Sequence, residues 1–144
     1  KPSFRGAMRH RRCLIPANGF YEWTGKPRAR QPHLIRRSDG GLITFAGLCD
    51  FLNGAEGSEI DTMAILTVAA NETLNPIHDR MPAILEPDAF DAWLDVREFR
   101  AEMAAEMLRP APDDLLELLT VDPRLNNYRN EGPDLIAPYR ERLL

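Results

Sequence analysis

The sequence predicts a single domain of the α+β class, with a mainly antiparallel, barrel-like β-sheet core and a few peripheral helices. Twelve prolines and nine glycines divide the 144 residues into short segments, and the apolar runs between them are rich in β-branched and aromatic residues. This pattern favours strands over helices. Helical periodicity occurs only in the second half of the chain, and the length suits one domain with its own core.

Seven apolar segments bounded by turn residues are predicted to be strands. The four residues Ser38-Asp39-Gly40-Gly41 are predicted to join two of them as a hairpin, because Asp-Gly and Gly-Gly supply the positive φ angles that such turns need. In chain order the predicted strands are Arg12–Pro16, Gly19–Thr24, His33–Arg36, Leu42–Leu48, Thr62–Ala69, Ala83–Leu85 and Leu116–Val121.

Two helices are predicted between the last two of these strands. Glu86-Pro87-Asp88 opens the first, because proline and acidic residues are favoured in the first turn of a helix. Its apolar residues Phe90, Trp93 and Leu94 have helical spacing. The second is predicted over Val96–Leu108, with an apolar stripe that is expected to face the core, namely Phe99, Met103 and Met107.

The basic residues are concentrated at the amino-terminal end. Residues 1–40 hold ten Lys or Arg against two acidic residues, a balance of +8, so that the net charge of −4 leaves −12 for the remainder. This segregation indicates a face that meets a polyanion, although a merely solvated basic face is the alternative. No apolar run approaches the roughly 20 residues of a membrane span, and we expect no membrane partner.

The cysteines and histidines do not indicate a disulfide framework or a metal site. Cys13 and Cys49 lie far apart in apolar runs and are expected to be reduced core thiols, and a nucleophilic role for Cys13 is disfavoured. The three histidines are isolated, without the spacing of a metal site. Phosphate-binding glycine loops are absent from the sequence, so we expect neither a metal nor another cofactor.

Glu22 is the first candidate for acid–base chemistry. Strand alternation in Phe20-Tyr21-Glu22-Trp23 places Phe20 and Glu22 on one face of the strand and Tyr21 and Trp23 on the other. A carboxyl group among bulky apolar neighbours can give or take a proton near neutral pH. An exposed glutamate on a half-solvated strand is the alternative, and the pattern alone does not separate the two.

His78 is the second candidate. It lies between two prolines in Pro76-Ile77-His78-Asp79-Arg80-Met81-Pro82, shortly after an apolar strand. Rigid loops at strand ends commonly carry catalytic groups, and histidine is the side chain best suited to proton transfer at physiological pH. Asp79 could orient the imidazole and Arg80 could bind phosphate. A purely structural histidine remains the alternative.

The chain carries four motifs in a recognisable order and spacing: Arg12–Trp23, Phe45–Leu48, Ile77–Pro82 and Asn126–Pro133. Together they closely resemble the SOS response-associated peptidase (SRAP) family, and the resemblance runs from Lys1 to about Pro138. Members of that family recognise abasic sites in single-stranded DNA. They form a covalent crosslink through an amino-terminal cysteine, whose amine makes a Schiff base with the sugar aldehyde and whose thiol closes a thiazolidine ring.

The resemblance implies roles for three residues of this chain. Glu22 would assist proton transfer at the amine and the sugar, and His78 would promote ring opening, β-elimination or reversal. Arg80 would contact backbone phosphate near the lesion. Such contacts position a strand without reading its sequence. The implied protein is a DNA-damage enzyme, expected to be monomeric, cytoplasmic and nucleoid-associated.

The chain also departs from the family pattern. The family's cysteine and an asparagine in an Asn-Ala-Arg segment lie upstream of the first motif, so we expect residues 1–144 to be one amino-terminally incomplete domain. By position, Cys13, Cys49 and Asn75 do not replace them. We therefore expect these residues alone to keep some affinity for single-stranded DNA without crosslinking. Cys49 stands where relatives usually have an aromatic residue, and Asn18 where they usually have Asp.

Two other functions remain open. One is a non-catalytic single-stranded nucleic-acid binding module, in which Trp23 and Tyr21 stack bases and the arginines follow the backbone. The other is a peptidase that cleaves other proteins. We expect peptide cleavage to be confined to the protein's own amino terminus.

Overall fold

The computed structural model describes residues 4–27, 29–53 and 58–139, with only the backbone described for residues 52 and 53. Short strands dominate these residues, and the helices are peripheral. The strands are β1 (Arg12–Ala17), β2 (Phe20–Lys26), β3 (Ala29–Arg37), β4 (Ile43–Asn53), β5 (Glu59–Ile65), β6 (Thr67–Ala69), β7 (Arg80–Pro82) and β8 (Leu116–Thr120). The helices are α1 (Arg5–His10), α2 (Phe90–Leu94) and α3 (Ala101–Glu106), with 3₁₀ turns at Pro87–Ala89, Pro123–Asn126 and Pro133–Ile136.

The strands form three antiparallel sheets, with orders β1-β4-β5, β2-β3-β8 and β6-β7. The sheet of β6 and β7 continues from the first sheet, because Ala46 N donates to Ala83 O at 2.8 Å and Leu66 N donates to Ala46 O at 3.0 Å. The α+β class and the antiparallel pairing are confirmed. The barrel-like closure is wrong, because β1 and β5 each pair with β4 and not with each other.

The core lies where side chains of all three sheets meet helix α2. Phe20 of β2 packs edge-on against Phe45 of β4, with ring centroids 5.8 Å apart. The core also contains fully buried residues from β3, β4, β7 and α2, namely Ile35, Ile43, Met81 and Trp93. Burial of an aliphatic or aromatic side chain contributes about 1.5–3 kcal/mol, so these contacts stabilise the packing of the sheets against one another.

The turn at residues 38–41 forms as predicted, but it does not make a hairpin. Gly40 has φ +76, and Gly41 N donates to Asp39 Oδ1 at 2.8 Å. The turn carries the chain from β3 in one sheet to β4 in another, because β3 pairs with β2 and β8 and β4 pairs with β1 and β5. The hairpin in this region is instead formed by β2 and β3, from Phe20 opposite Ile35 to Lys26 opposite Ala29.

Three predicted elements have different bounds. The strand over Thr62–Ala69 is divided between β5 and β6 at residue 66, whose N–H bonds to β4. The strand at Ala83–Leu85 is replaced by β7 slightly earlier, with only an isolated bridge at Ile84. Helix α3 begins at Ala101 and not at Val96, because the Asp95 carboxylate accepts the N–H groups of residues 97 and 98 in a turn.

The apolar residues of the two predicted helices are only partly in the core. Trp93 is fully buried, but Leu94 is exposed. In α3 the small residue Ala104 is buried, whereas Met103 is exposed, so the predicted stripe is wrong at Met103. The helix therefore contacts the core through the Ala104 methyl group. Among the described residues, no helix is long and apolar enough to cross a membrane.

Arg12 is a buried arginine that joins α1, β1, α2 and the turn that follows α2. Its guanidinium donates to four backbone carbonyls, and it also lies over the Trp93 ring, 5.6 Å from the centroid. Burial lowers the pKa of Arg12, with the Asp95 carboxylate opposing that effect. The four acceptors are Met8 O at 3.0 Å, Trp93 O at 2.5 Å, Asp95 O at 2.7 Å and Phe99 O at 2.7 Å.

Candidate active site

Glu22 lies in the middle of β2, half-buried, on the face that carries Phe20 and Thr24. Tyr21 and Trp23 are exposed on the other face, which confirms the predicted alternation. The strand starts tightly: a Cβ atom on Gly19 would lie 2.5 Å from Ile35 O of β3. The Glu22 carboxylate has no hydrogen bond or ion pair with any residue that the structure describes, so its oxygens are not occupied by a protein partner there.

The cross-strand neighbour of Glu22 is His33 of β3, and Thr120 of β8 follows in the same row. His33 is only 9% exposed. Its Nε2 lies 2.9 Å from Thr24 Oγ1, whereas its buried Nδ1 has no hydrogen-bond partner. Burial lowers the pKa of His33, which favours the neutral imidazole. The sequence indicated only an isolated histidine here, because the pairing of β2 with β3 was not predicted.

His78 lies in the turn between β6 and β7, which the buried Asn71 holds in place. Asn71 Oδ1 accepts from Leu74 N at 3.1 Å, and its Nδ2 donates to Ala111 O at 3.1 Å. Leu74 is itself in the core, and its carbonyl accepts the His78 N–H at 3.0 Å. The backbone that presents His78 is therefore anchored at several points, as predicted for a rigid loop.

The His78 imidazole is held through Nδ1. This atom lies 2.9 Å from Arg80 N, 3.0 Å from Arg80 O and 3.3 Å from Asp79 Oδ1. Unprotonated Nδ1 can accept from the Arg80 N–H, and protonated Nδ1 can donate to Arg80 O or to the Asp79 carboxylate. In either state Nε2 has no partner among the described residues and the side chain is 47% exposed. Nε2 is thus the atom that can meet a substrate.

Arg80 is exposed at the start of β7 and points across the ladder to Thr67 of β6. Its Nη2 donates to Thr67 O and, at 2.9 Å, to Thr67 Oγ1. The guanidinium has five N–H donors, so these two bonds leave donors that could bind an anion. The structure places Arg80 beside His78, as the motif predicted.

The structure does not join Glu22 to His78. Glu22 belongs to the sheet of β2, β3 and β8, and His78 precedes a strand of another sheet. Both sheets meet β4, since Phe20 packs on Phe45 and Phe45 bridges Ile84, two residues after β7. A common site for Glu22 and His78 remains a prediction.

Among the described residues, four of the amino-terminal arginines are not available to a free basic face. Arg12 is buried, and three others pair with acidic residues: Arg11 with Asp50 at 3.1 Å, Arg36 with Glu117 at 2.5 Å, and Arg37 with Asp39 and Glu86 at 2.9 and 2.6 Å. Much of the segregated charge is therefore neutralised within the fold. Within the described part of the chain, the basic residues of this region that are exposed without an ion pair are Arg5, Arg9, Lys26 and Arg30.

One of those residues, Arg30, lies beside exposed aromatic rings. Trp23 Nε1 donates to Asn126 Oδ1 at 3.0 Å, and Asn126 Nδ2 donates to Arg30 O at 2.8 Å. Trp23, Arg30 and Tyr128 line one open cleft of about 380 Å³. Arg129 lies 5.7 Å from the centroid of the Tyr128 ring, which is 84% exposed. We call the surface formed by Trp23, Arg30, Tyr128 and Arg129 the aromatic-basic surface.

The two cysteines are half-buried thiols on neighbouring strands, less buried than predicted. Burial raises the pKa of Cys13, and the adjacent Cys49 raises it further. Cys49 Sγ is 3.5 Å from Arg11 O. A thiol held neutral is a weak nucleophile, which agrees with the low expectation for Cys13. Among the described residues, no group of three or more His, Cys, Asp or Glu side chains could hold a metal ion.

Comparison with protein families places these residues in a known context. The family model for "SOS response associated peptidase (SRAP)" matches residues 1–128. The chain belongs to the SRAP family. The match covers the strands of Glu22 and His33, the turn of His78, and the part of the aromatic-basic surface up to Tyr128.

Several named relatives of the SRAP family align with nearly the whole chain. The chain is 36% identical over 140 residues to the abasic site processing protein YoqW of Bacillus subtilis, covering 96% of this chain and 62% of the relative. It is 33% identical to the abasic site processing protein HMCES of Gallus gallus, covering 96% of this chain and 47% of that protein. The chain thus spans about half to three fifths of the length of these SRAP relatives.

Solved structures support the fold. A crystal structure of a protein from Bacteroides thetaiotaomicron superposes with a TM-score of 0.84 and 28% sequence identity, covering 97% of this chain and 62% of that chain. A second, from Bordetella bronchiseptica, has a TM-score of 0.74 and 31% identity over 83% of this chain and 59% of that chain. The antiparallel sheets and their order are therefore those of an experimentally determined fold.

Proposed function

We propose that this chain contributes Glu22, His78 and Arg80 to an SRAP enzyme that binds single-stranded DNA and covalently traps abasic sites. The observation that carries the proposal is the unpaired, half-buried carboxylate of Glu22 in the Gly19–Trp23 motif. Relatives of this family bear the name of abasic site processing proteins. The nucleophile in the proposal is an amino-terminal cysteine, which the half-buried thiols Cys13 and Cys49 do not replace.

The proposed chemistry needs a group that takes and returns protons. Glu22 removes a proton from the cysteine's α-ammonium group, and the free amine attacks the sugar aldehyde to give a carbinolamine. Protonated Glu22 then returns the proton to the leaving hydroxyl, so that water departs and a Schiff base forms. The thiol adds across the C=N bond, with sulfur going to carbon and hydrogen to nitrogen, which closes the thiazolidine. General acid–base assistance of this kind is worth roughly 10²–10⁴-fold.

His78 and Arg80 act at the sugar and the phosphate in this proposal. The anchored Nδ1 leaves His78 Nε2 to assist opening of the sugar ring, β-elimination or reversal of the crosslink. Arg80 keeps unbonded guanidinium donors for a backbone phosphate, while Thr67 holds its orientation. Peptide cleavage in this proposal is limited to release of the protein's own amino terminus.

A crosslinking assay tests the proposal in the full-length protein with its amino-terminal cysteine. The protein is mixed with an oligonucleotide containing one abasic site and resolved on a denaturing gel. Glu22→Gln is expected to slow crosslinking by about 100-fold or more, with unchanged affinity for an undamaged oligonucleotide. The matched control, Glu59→Gln, changes an exposed carboxylate of β5 and should crosslink normally. Normal crosslinking by Glu22→Gln would contradict the assignment.

Residues 1–144 alone are expected to bind single-stranded DNA without a covalent product, because neither of their cysteines offers an amino-terminal amine beside its thiol. A band of crosslinked protein that survives the denaturing gel with these residues alone would show that no nucleophile outside them is needed.

A protease assay on unrelated proteins is expected to show no cleavage, and cleavage there would favour a general peptidase.

The aromatic-basic surface favours a second candidate function, a non-catalytic binding module for single-stranded nucleic acid. Exposed rings next to arginines are the arrangement used for sequence-tolerant base stacking. The two functions differ in one outcome. If the full-length protein binds single-stranded DNA but never crosslinks to an abasic site, the binding module is the correct description.

A further inference from the structure

His33 shares the inner face of its sheet with Glu22, at the position directly across the ladder. Directly opposed residues of an antiparallel pair have Cβ atoms about 4.5–5.5 Å apart, so the Glu22 side chain is the immediate cross-strand neighbour of the imidazole. The bond from His33 Nε2 to Thr24, the next residue on that face of β2, shows that the ring leans toward β2.

The imidazole has one satisfied nitrogen and one unsatisfied nitrogen. Nε2 is bonded to Thr24 Oγ1, while Nδ1 is buried without a partner in a side chain that is only 9% exposed. Leaving a buried polar atom without a partner is destabilising. An orphaned acceptor is better tolerated than an orphaned N–H. This favours the tautomer in which Nε2–H donates to Thr24 and Nδ1 holds a lone pair.

The groups in the same row show which side chains face that lone pair from the flanking strands. On β2 the residues beside His33 are Glu22 and Thr24, and on β8 the aligned residue is Thr120. Both threonines carry neutral hydroxyls, so Glu22 is the titratable group that faces His33 from these flanking strands. No other charged residue is aligned with it there.

We propose that His33 is a positioning residue for Glu22, whose Nδ1 accepts a hydrogen bond from the protonated Glu22 carboxyl group. The proposal rests on the acid–base role proposed for Glu22. While the carboxylate is ionised it has no need of Nδ1, and once it has taken the proton from the α-amine, Nδ1 orients the resulting O–H. His33 itself neither gains nor loses a proton. Thr24 fixes the ring in the orientation that this bond requires.

The tautomer and the contact are tested by NMR of the full-length protein with ¹⁵N-labelled histidine. His33 is expected to show a protonated Nε2 and an unprotonated Nδ1. Glu22→Gln supplies an amide N–H that imitates the protonated carboxyl group, so the Nδ1 resonance should move in the direction of an accepted hydrogen bond. Glu22→Ala should leave it in place. The same Nδ1 resonance in both variants would overturn the proposal.

The rate of crosslinking tests the consequence. His33→Phe is expected to slow crosslinking by roughly tenfold, a fraction of the 10²–10⁴-fold available to acid–base catalysis. The limb of the pH–rate profile that depends on Glu22 should move to lower pH, because the protonated form has lost its partner. Thr24→Val keeps the imidazole and should move the limb in the same direction. Thr120→Val removes a hydroxyl of the same row that makes no hydrogen bond with a described residue, and it should change neither the crosslinking rate nor the position of the pH–rate limb.

The two levels of the proposal fail separately. If the unmodified full-length protein does not crosslink, the proposed function fails, and the NMR comparison still decides whether Glu22 and His33 interact. If it crosslinks and His33→Phe has an unchanged rate and pH profile, His33 is only structural. If His33→Phe does not fold, the Thr24→Val profile and the NMR comparison decide the question.

Discussion

Replacement of Arg12 by Met should be among the most destabilising changes in this protein. Met keeps an unbranched apolar stem but removes the guanidinium that donates to four backbone carbonyls at 2.5 to 3.0 Å. Those carbonyls belong to α1, α2 and the turn after α2. They are separated from Arg12 by up to 87 residues in sequence, so the side chain joins segments that no local hydrogen bond could join.

The magnitude follows from these contacts. A hydrogen bond to a charged group is worth about 1.5–3 kcal/mol, and an arginine–tryptophan contact adds roughly 1–2 kcal/mol when desolvated. The simple sum overshoots, because burying the guanidinium has a desolvation cost, as the lowered pKa of Arg12 indicates. Removing one member of a buried polar network costs about 3–5 kcal/mol. At roughly 3 °C per kcal/mol for a domain of this size, Tm should fall by about 10 °C.

Urea unfolding followed by tryptophan fluorescence measures this loss, because Trp93 is fully buried and contacts Arg12 directly. Calorimetry gives the change in Tm. Arg9→Met is the matched control, since Arg9 is an exposed residue of α1 and its removal should change stability by less than about 0.5 kcal/mol. A loss of under about 1 kcal/mol for Arg12→Met would refute the reasoning.

Three further predictions concern other parts of the chain. Gly19→Ala should destabilise the protein by about 2 kcal/mol or more, because its Cβ would lie 2.5 Å from a backbone oxygen. The control is Gly6→Ala, in an open position of α1, which should stabilise the protein by up to about 1 kcal/mol in the same urea unfolding assay. Burial lowers the pKa of His33, so the unfolded state takes up its proton first as the pH falls below about 6.5. The free energy of unfolding should therefore decrease with falling pH in that range, and His33→Phe should remove that part of the dependence in a pH series of urea titrations. Tyr128→Ala should weaken binding of undamaged single-stranded DNA by about 1–3 kcal/mol and Arg30→Ala should reduce the salt dependence of binding by fluorescence anisotropy, whereas unchanged affinity in both variants would rule out the aromatic-basic surface as the contact.

The local features of the site could be predicted from the sequence because they depend on neighbours in the chain. The alternation that puts Glu22 and Trp23 on different faces of β2 follows from the two-residue repeat of a strand. The positive φ of Gly40 follows from glycine's lack of a side chain. The anchored turn before His78 was indicated by its flanking prolines.

Pairing between distant strands could not be predicted in the same way. The sequence placed a hairpin at residues 38–41, but β3 pairs with β2 and β8, because many apolar strands of similar length compete for each partner. The error concealed His33, whose relation to Glu22 exists only through the register of β2 and β3. The predicted barrel closure is wrong for the same kind of reason, because closure needs pairing between edge strands that the fold does not make.

The net charge of a segment was the least reliable guide to its surface. Ten basic residues near the amino terminus suggested a continuous basic face, yet Arg12 is buried and Arg36 and Arg37 pair with Glu117 and Glu86. Opposite charges distant in sequence attract one another when the chain folds, so a local charge count does not measure what remains for a ligand. The basic residues left beside Trp23 and Tyr128 are few but are placed with aromatic rings.

The sequence by itself determined the strand-rich class, the faces of β2 and the motifs that identify the SRAP family, because each depends on residues within a few positions of one another. Only the tertiary structure decided that Arg12 is buried and joins distant segments, that Glu22 has no partner among the described residues, and that His33 lies across from Glu22. Those outcomes depend on contacts between segments tens of residues apart. Which of these contacts form depends on the relative free energies of all the possible pairings when the core forms.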